Sequence, residues 1–267
     1  MMGRILALLG KELDELRHSR LIVSTLVVPS ILYVALPLWL LGSGMVGGML
    51  GEDALTPREL ETLRQSLPQL AGLSANRVIE AFLVNQVLIL FMLAPLFIPL
   101  TIASYSIIGE KQLRSLEPLL ATPIRTWELL VAKALGAVIP GLLVTWVSYA
   151  VFAAGAQLLV GGWLFAFMTS PTWLVAFILV VPLFALLAVG IAVVASARTN
   201  DPRAAQQLGA VVILPVSGLL FAQVFGYVLL GAWLMLIVAA LSLAVDLCLL
   251  WLAVRLFDRE AILTRWR

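Results

Sequence analysis

From Leu208 to Leu256 the chain runs through 49 residues whose only ionisable side chains, Tyr and Cys apart, are Asp246 and Arg255. A helix on the surface of a water-soluble protein needs a polar outer face. This stretch has none, and lipid is the solvent that accepts such a segment. It is long enough for two crossings, because about 20 apolar residues at 1.5 Å each span roughly 30 Å of hydrocarbon. A break near Gly226–Gly231 divides it.

Four further regions meet the same test, near 21–41, 79–108, 127–157 and 172–197. The whole 267-residue chain is 62% hydrophobic and 12% charged, about half the charge of an ordinary soluble domain. Backbone left unpaired in lipid is costly, so these segments are expected to be helical. The reading is an all-α integral membrane protein with six transmembrane helices in one domain, 1–267.

With six spans and the N-terminus in the cytoplasm, 14 of the 17 Lys and Arg residues fall on the cytoplasmic side; only Arg58, Arg64 and Arg77 lie outside. That is the direction of the positive-inside rule. Both termini are therefore expected to be cytoplasmic. The first 20 residues carry charges where a signal peptide would have its apolar core, so they are not expected to be a cleaved leader.

One Cys (Cys248) and one His (His18) leave no basis for a disulfide framework or a Cys/His metal cluster within the chain. A net charge of +2 gives no argument for nucleic acid. A hydrolase would need a nucleophile and a base within reach of each other, and the lone His18 is a poor start. No G-x-x-x-x-G-K-[ST] phosphate loop occurs. No ATPase domain is expected in this chain.

Residues 1–20 form an amphipathic segment with Ile5, Leu6, Leu8, Leu9, Leu13 and Leu16 on its apolar side, suited to the inner membrane interface. Anchoring accounts for it, and no chemistry is assigned there. Residues 42–78, opening on GSGMVGG, are expected to form an external hairpin or lid. Pro29, Pro37, Pro95, Pro99, Pro140, Pro182 and Pro215 distribute over five of the six spans. Ordinary membrane packing and bent helices around a route both account for the set.

The cytoplasmic stretch 108–126 has helical spacing from Glu110 to Leu120, with Leu113, Leu116 and Leu120 on one side. Pro123 disfavours helix at Thr122, and Thr126 is placed to start the next helix. In the loop SARTNDPRAAQQLG, Asn200 or Asp201 can cap the helix that follows. Trp39, Trp163, Trp173 and Tyr227 suit an aromatic belt. Asp246, deep in the last span, fits a substrate or ion contact, a conformational latch, or a hydrogen-bonded carboxyl that packs helices.

The sequence GEKQLRSLEPLLATPIRTWELLVAKAL, with KELDELRHSR before the first span and SARTNDPRAAQQLGAVVILP between the fourth and fifth, resembles the ABC-2 type permeases, the transmembrane subunits of ABC transporters. Gln112-Leu113-Arg114-Ser115 departs from the Glu-Arg-Gly-Thr that members often carry. The resemblance implies a type V exporter-like topology with an N-terminal amphipathic interfacial (elbow) helix, and a coupling element at 108–126. It carries the roles of ATPase contact onto Glu110, Lys111 and Glu117, and support of the turn onto Pro123, Glu128 and Lys133. It implies two ABC ATP-binding subunits that hold ATP and Mg, a second permease subunit (a homodimer is expected), no cofactor on this chain, and a place in the bacterial or archaeal cell membrane. Export or flipping of a small amphiphile such as a drug, lipid or peptide is expected on the same ground. An ion-coupled carrier using Asp246 is the alternative.

Overall fold

A computed structural model describes residues 2–43, 61, 74–112, 126–224 and 231–256. The described residues build a helical bundle. Helix α1 spans Met2–His18 and α2 spans Arg20–Gly42, with only Ser19 between them. The Ser19 amide still donates to the carbonyls of Glu15 and Leu16, so the chain bends there without losing its hydrogen bonding. Helix α3 covers Ala75–Gln112 and α4 covers Thr126–Val160. A short α5, Gly162–Met168, follows.

Next comes a rod of three consecutive pieces: α6 (Pro171–Val175), a π-helical turn (Ala176–Val180) and α7 (Val181–Ser196). The residues at both joints are right-handed helical, so the rod is continuous. Helix α8 spans Pro202–Val224 and α9 spans Ala232–Leu256. The long apolar C-terminal stretch is thus two helices, and Gly231 lies directly before the second.

Four of these helical segments are long and apolar enough to cross a membrane: Arg77–Gln112, Trp127–Val160, Pro171–Ser196 and Ala232–Arg255. Leu26–Gly42 is a shorter apolar segment. Helices α2, α3 and α4 run on through Pro29, Pro37, Pro95, Pro99 and Pro140.

The core forms around α3 and α7, which pack against each other along their lengths. Val78, Ala81, Val84, Leu88, Phe91 and Met92 repeat every three or four residues on the inner side of α3, all buried. Phe91 meets Phe152 of α4 with centroids 5.6 Å apart, and Tyr149 stacks on Phe177 at 4.0 Å. The π turn leaves the Phe177 carbonyl accessible to the Trp146 indole N–H, which donates to it at 3.0 Å. The Tyr149 hydroxyl donates to the Met168 carbonyl at 3.0 Å, tying α5 to α4. The chain turns sharply between α4 and α5 at Gly161, whose φ of 111° only glycine adopts without strain.

Several expectations change. Glu110–Gln112 close the last turn of α3 and do not open a separate element; residues 113–125 lie outside the described residues. Trp173 is buried against Phe177, which takes it out of the expected belt. Trp39 is exposed, and Trp163 lies beneath the Arg77 guanidinium at 5.8 Å. Tyr227 and nearly all of 44–73, the bulk of the expected external region, fall outside the described residues. The buried side of α1, including Leu16, packs on protein, chiefly α4.

Candidate functional site

At the end of the bundle where α1 docks, Glu12, Glu110, Glu128 and Lys133 are all buried. A charge out of water persists only with compensation, and the geometry provides it. Lys133 Nζ donates to Glu12 Oε1 at 2.7 Å and to Ser106 Oγ at 2.9 Å, and pairs with Glu110 Oε2 at 2.8 Å. An ammonium has three donors, and three oxygens surround it. The Ser106 hydroxyl, having accepted from Lys133, donates to Glu12 Oε2 at 2.7 Å. Lys11 closes the set, 3.0 Å from Glu110 Oε1 and 3.4 Å from Glu15 Oε1.

Each member is placed by helical spacing. Ser106 and Glu110, four apart, share one side of α3. On α1, Glu12 falls in the middle of the inward stripe Ile5, Leu9, Glu12, Leu16, while Lys11 sits at its edge. On α4, Lys133 and Gly136 are three apart on the side that α1 crosses. A Cβ on Gly136 would lie 2.9 Å from Glu12 Cβ, inside the closest ordinary contact. Glycine at this position is what lets α1 approach near enough for Glu12 to reach Lys133.

The cluster therefore fastens three helices at one point. Removing one member of a buried pair leaves the other charge uncompensated, at a cost of about 3–5 kcal/mol. Lys11 is partly open to water, and its ionisation reflects both influences. Burial lowers its pKa, but the hydrogen bond and charge of Glu110, helped by Glu15, more than offset this and hold it above the ordinary lysine value. Glu128, buried in the first turn of α4, puts a negative charge at the positive end of that helix.

A second set of contacts leaves α3 in the other direction. Lys111 Nζ lies 3.4 Å from the carbonyls of Ser196 and Thr199, and Gln112 Nε2 donates to the Asn200 carbonyl at 2.8 Å. Asp201 caps α8 by accepting from the Arg203 amide at 3.0 Å. These are partly exposed bonds, of the kind worth about 0.5–1.5 kcal/mol each.

Of the residues singled out from sequence, Glu110, Lys111, Glu128 and Lys133 come to this end of the molecule, and Glu110 and Lys133 touch. Glu117 and Pro123 lie outside the described residues. Asp246 stands apart on α9, on the inward stripe Met235, Ala239, Ser242, Asp246, Leu249, Ala253 that packs on α7 and its π turn. Both its carboxylate oxygens are shielded and have no hydrogen-bond partner among the described residues. Lys11, Glu12, Ser106 and Gly136 were not anticipated. The available signal was a carboxylate interrupting the apolar stripe of α1 and an ammonium interrupting the apolar run of α4, opposite charges that can be buried only together.

A family model described as ABC-2 family transporter protein matches residues 6–257, from the first turns of α1 to the end of α9. The chain belongs to the ABC-2 transporter family. Comparison with curated proteins gives no match. Membership agrees with the apolar helices and makes this a membrane protein, the permease component of an ABC transporter; the family implies partnership with an ATP-binding subunit. Among the described residues there is no group of His, Cys, Asp and Glu that could hold a metal ion.

Proposed function

We propose that this permease is the transmembrane half of an ATP-driven exporter or flippase for a small amphiphile, working as two copies with two ATP-binding subunits in the cell membrane. The reading takes six spans with both termini cytoplasmic, which would set the α1 end of the bundle, and segment 113–125, on the side where ATP is hydrolysed. One observation carries the reading. The buried cluster joins α1 to the helices that enter and leave that segment, so a push on it is borne by three helices together.

The role of the sequence-derived residues divides accordingly. Glu117 and Pro123, with Lys111, are assigned to the contact with the ATPase and its turn. Glu110, Glu128 and Lys133 act behind that contact, fixing the ends of α3 and α4 that must move with it. Reconstitution with its ATP-binding subunit tests this: ATP-dependent efflux or flipping should appear in vesicles, and Glu117→Lys should remove the ATPase from the purified complex while the permease still folds. Unchanged assembly and transport in that variant would reject the assigned contact.

The shielded carboxylate of Asp246 favours one other reading, an ion-coupled carrier. Transport by the permease alone, following an ion gradient and abolished in Asp246→Asn, would establish it in place of the first.

A further inference from the structure

The last turn of α3 faces two ways. Glu110 belongs to the buried cluster, whereas Lys111 and Gln112 reach across to the turn joining α7 to α8. That turn is well built in itself. Ser196 Oγ donates to the Ala192 carbonyl, the Arg198 and Thr199 amides donate to Ala195, and the Asp201 amide donates to Thr199 Oγ1. The carbonyls of Ser196, Thr199 and Asn200 lie at and just past the end of α7, where helical partners run out. A lysine there also suits the negative end of the helix.

Beneath these bonds lies a small apolar cluster of its own: Ile108 of α3, Ala195 of α7 and Ala205 of α8, separate from the main core. Further along, α8 packs on α3 with Gly209 against Leu100, whereas the α7–α8 turn itself is held to the end of α3 by part-exposed and exposed hydrogen bonds. On the opposite side of the same turn, Glu110 is held by a buried ion pair with Lys133 and a part-exposed one with Lys11. The Glu110–Lys133 pair is shut off from water, while the Gln112 bond is open to it.

We propose that Lys111 and Gln112 are positioning residues that form a releasable catch: they hold the α7–α8 turn against α3 at rest and let go when the α3–α4 segment is displaced. The α1–α3–α4 cluster then moves as one body, and the α7–α8 turn is freed from the end of α3. This rests on the reading of the chain as an ATP-driven permease.

Gln112→Cys with Asn200→Cys, in a Cys248→Ser background, tests it in membranes containing the permease and its ATP-binding subunit. A short bis-maleimide should join the pair efficiently without nucleotide, and the yield should fall about threefold or more with ATP and vanadate. Joined complexes should hydrolyse ATP but lose transport. Separately, Gln112→Ala should lower transport per ATP hydrolysed at an unchanged amount of protein in the membrane, and Gln112→Lys, which keeps a donor there, should retain it. A complex that assembles, hydrolyses ATP and transports while the yield stays constant overturns the catch alone. A permease that crosslinks at rest but never binds an ATPase overturns the permease reading first, and the catch with it.

Discussion

Glu12 and Asp246 are both carboxylates set into apolar stripes, and the bundle treats them in opposite ways. Glu12 reaches Lys133 and Ser106 with both oxygens occupied. Asp246 has shielded oxygens and no hydrogen-bond partner among the described residues. Their surroundings differ as much. The most apolar 18-residue stretch of α3 is 72% buried and that of α9, the helix of Asp246, is 17% buried, with Trp233, Leu241 and Leu247 turned outward. An intruding charge is a fastening where helices cross and a partner is at hand; on a peripheral helix it is a cost without visible return.

The contrast is open to direct attack. The largest effect is expected for Lys133→Ala, which strands the Glu12 charge and leaves Glu110 with Lys11 alone; thermal unfolding in detergent should show a loss of about 3–5 kcal/mol. A change near zero would mean the charges are not held together. Gly136→Ala should follow at about 1–3 kcal/mol, because the added methyl meets Glu12 and overpacks the crossing of α1 on α4. Its effect should shrink when Glu12 is replaced by Gly, which removes the Cβ that the methyl meets, and a persistent effect would place the clash elsewhere. Asp246→Asn should change stability by about 1 kcal/mol or less, as no ion pair is lost. A large loss there would erase the contrast between the two carboxylates.

The smallest effect concerns Lys11. Its folded-state pKa is raised above the unfolded value of 10.5, so its contribution is fully present below that value. It is lost as pH rises through the raised folded value. Attachment of α1, followed by protease cleavage after Arg17, should therefore be flat across neutral pH and weaken only in strong alkali. Weakening on mild acidification would assign the titration to another group.

Hydropathy made most of the helices legible. The regions near 21–41, 79–108, 127–157 and 172–197 became Arg20–Gly42, Ala75–Gln112, Thr126–Val160 and Pro171–Ser196, since one physical requirement sets both length and composition. The ends were less legible: α3 runs on to Gln112 because Glu110 and Lys111 find partners on α1, α4 and the α7–α8 turn, which a local pattern does not contain. Helix α5 was missed, being a seven-residue apolar run too short for periodicity to declare. The amphipathicity of α1 was read correctly as a helix with one apolar side. Periodicity does not say whether lipid or protein covers that side, and Glu12 within it, facing Lys133, was the residue that did.

The central claim is that a buried ion cluster binds α1 to the two helices flanking segment 113–125, so that the three respond as one. A double-mutant cycle of Glu12→Ala and Lys133→Ala, read by unfolding of the detergent-purified permease, measures that bond most directly. The account predicts strong non-additivity, a coupling of about 2–3 kcal/mol. Two losses that simply add, to within about 0.5 kcal/mol, would contradict it.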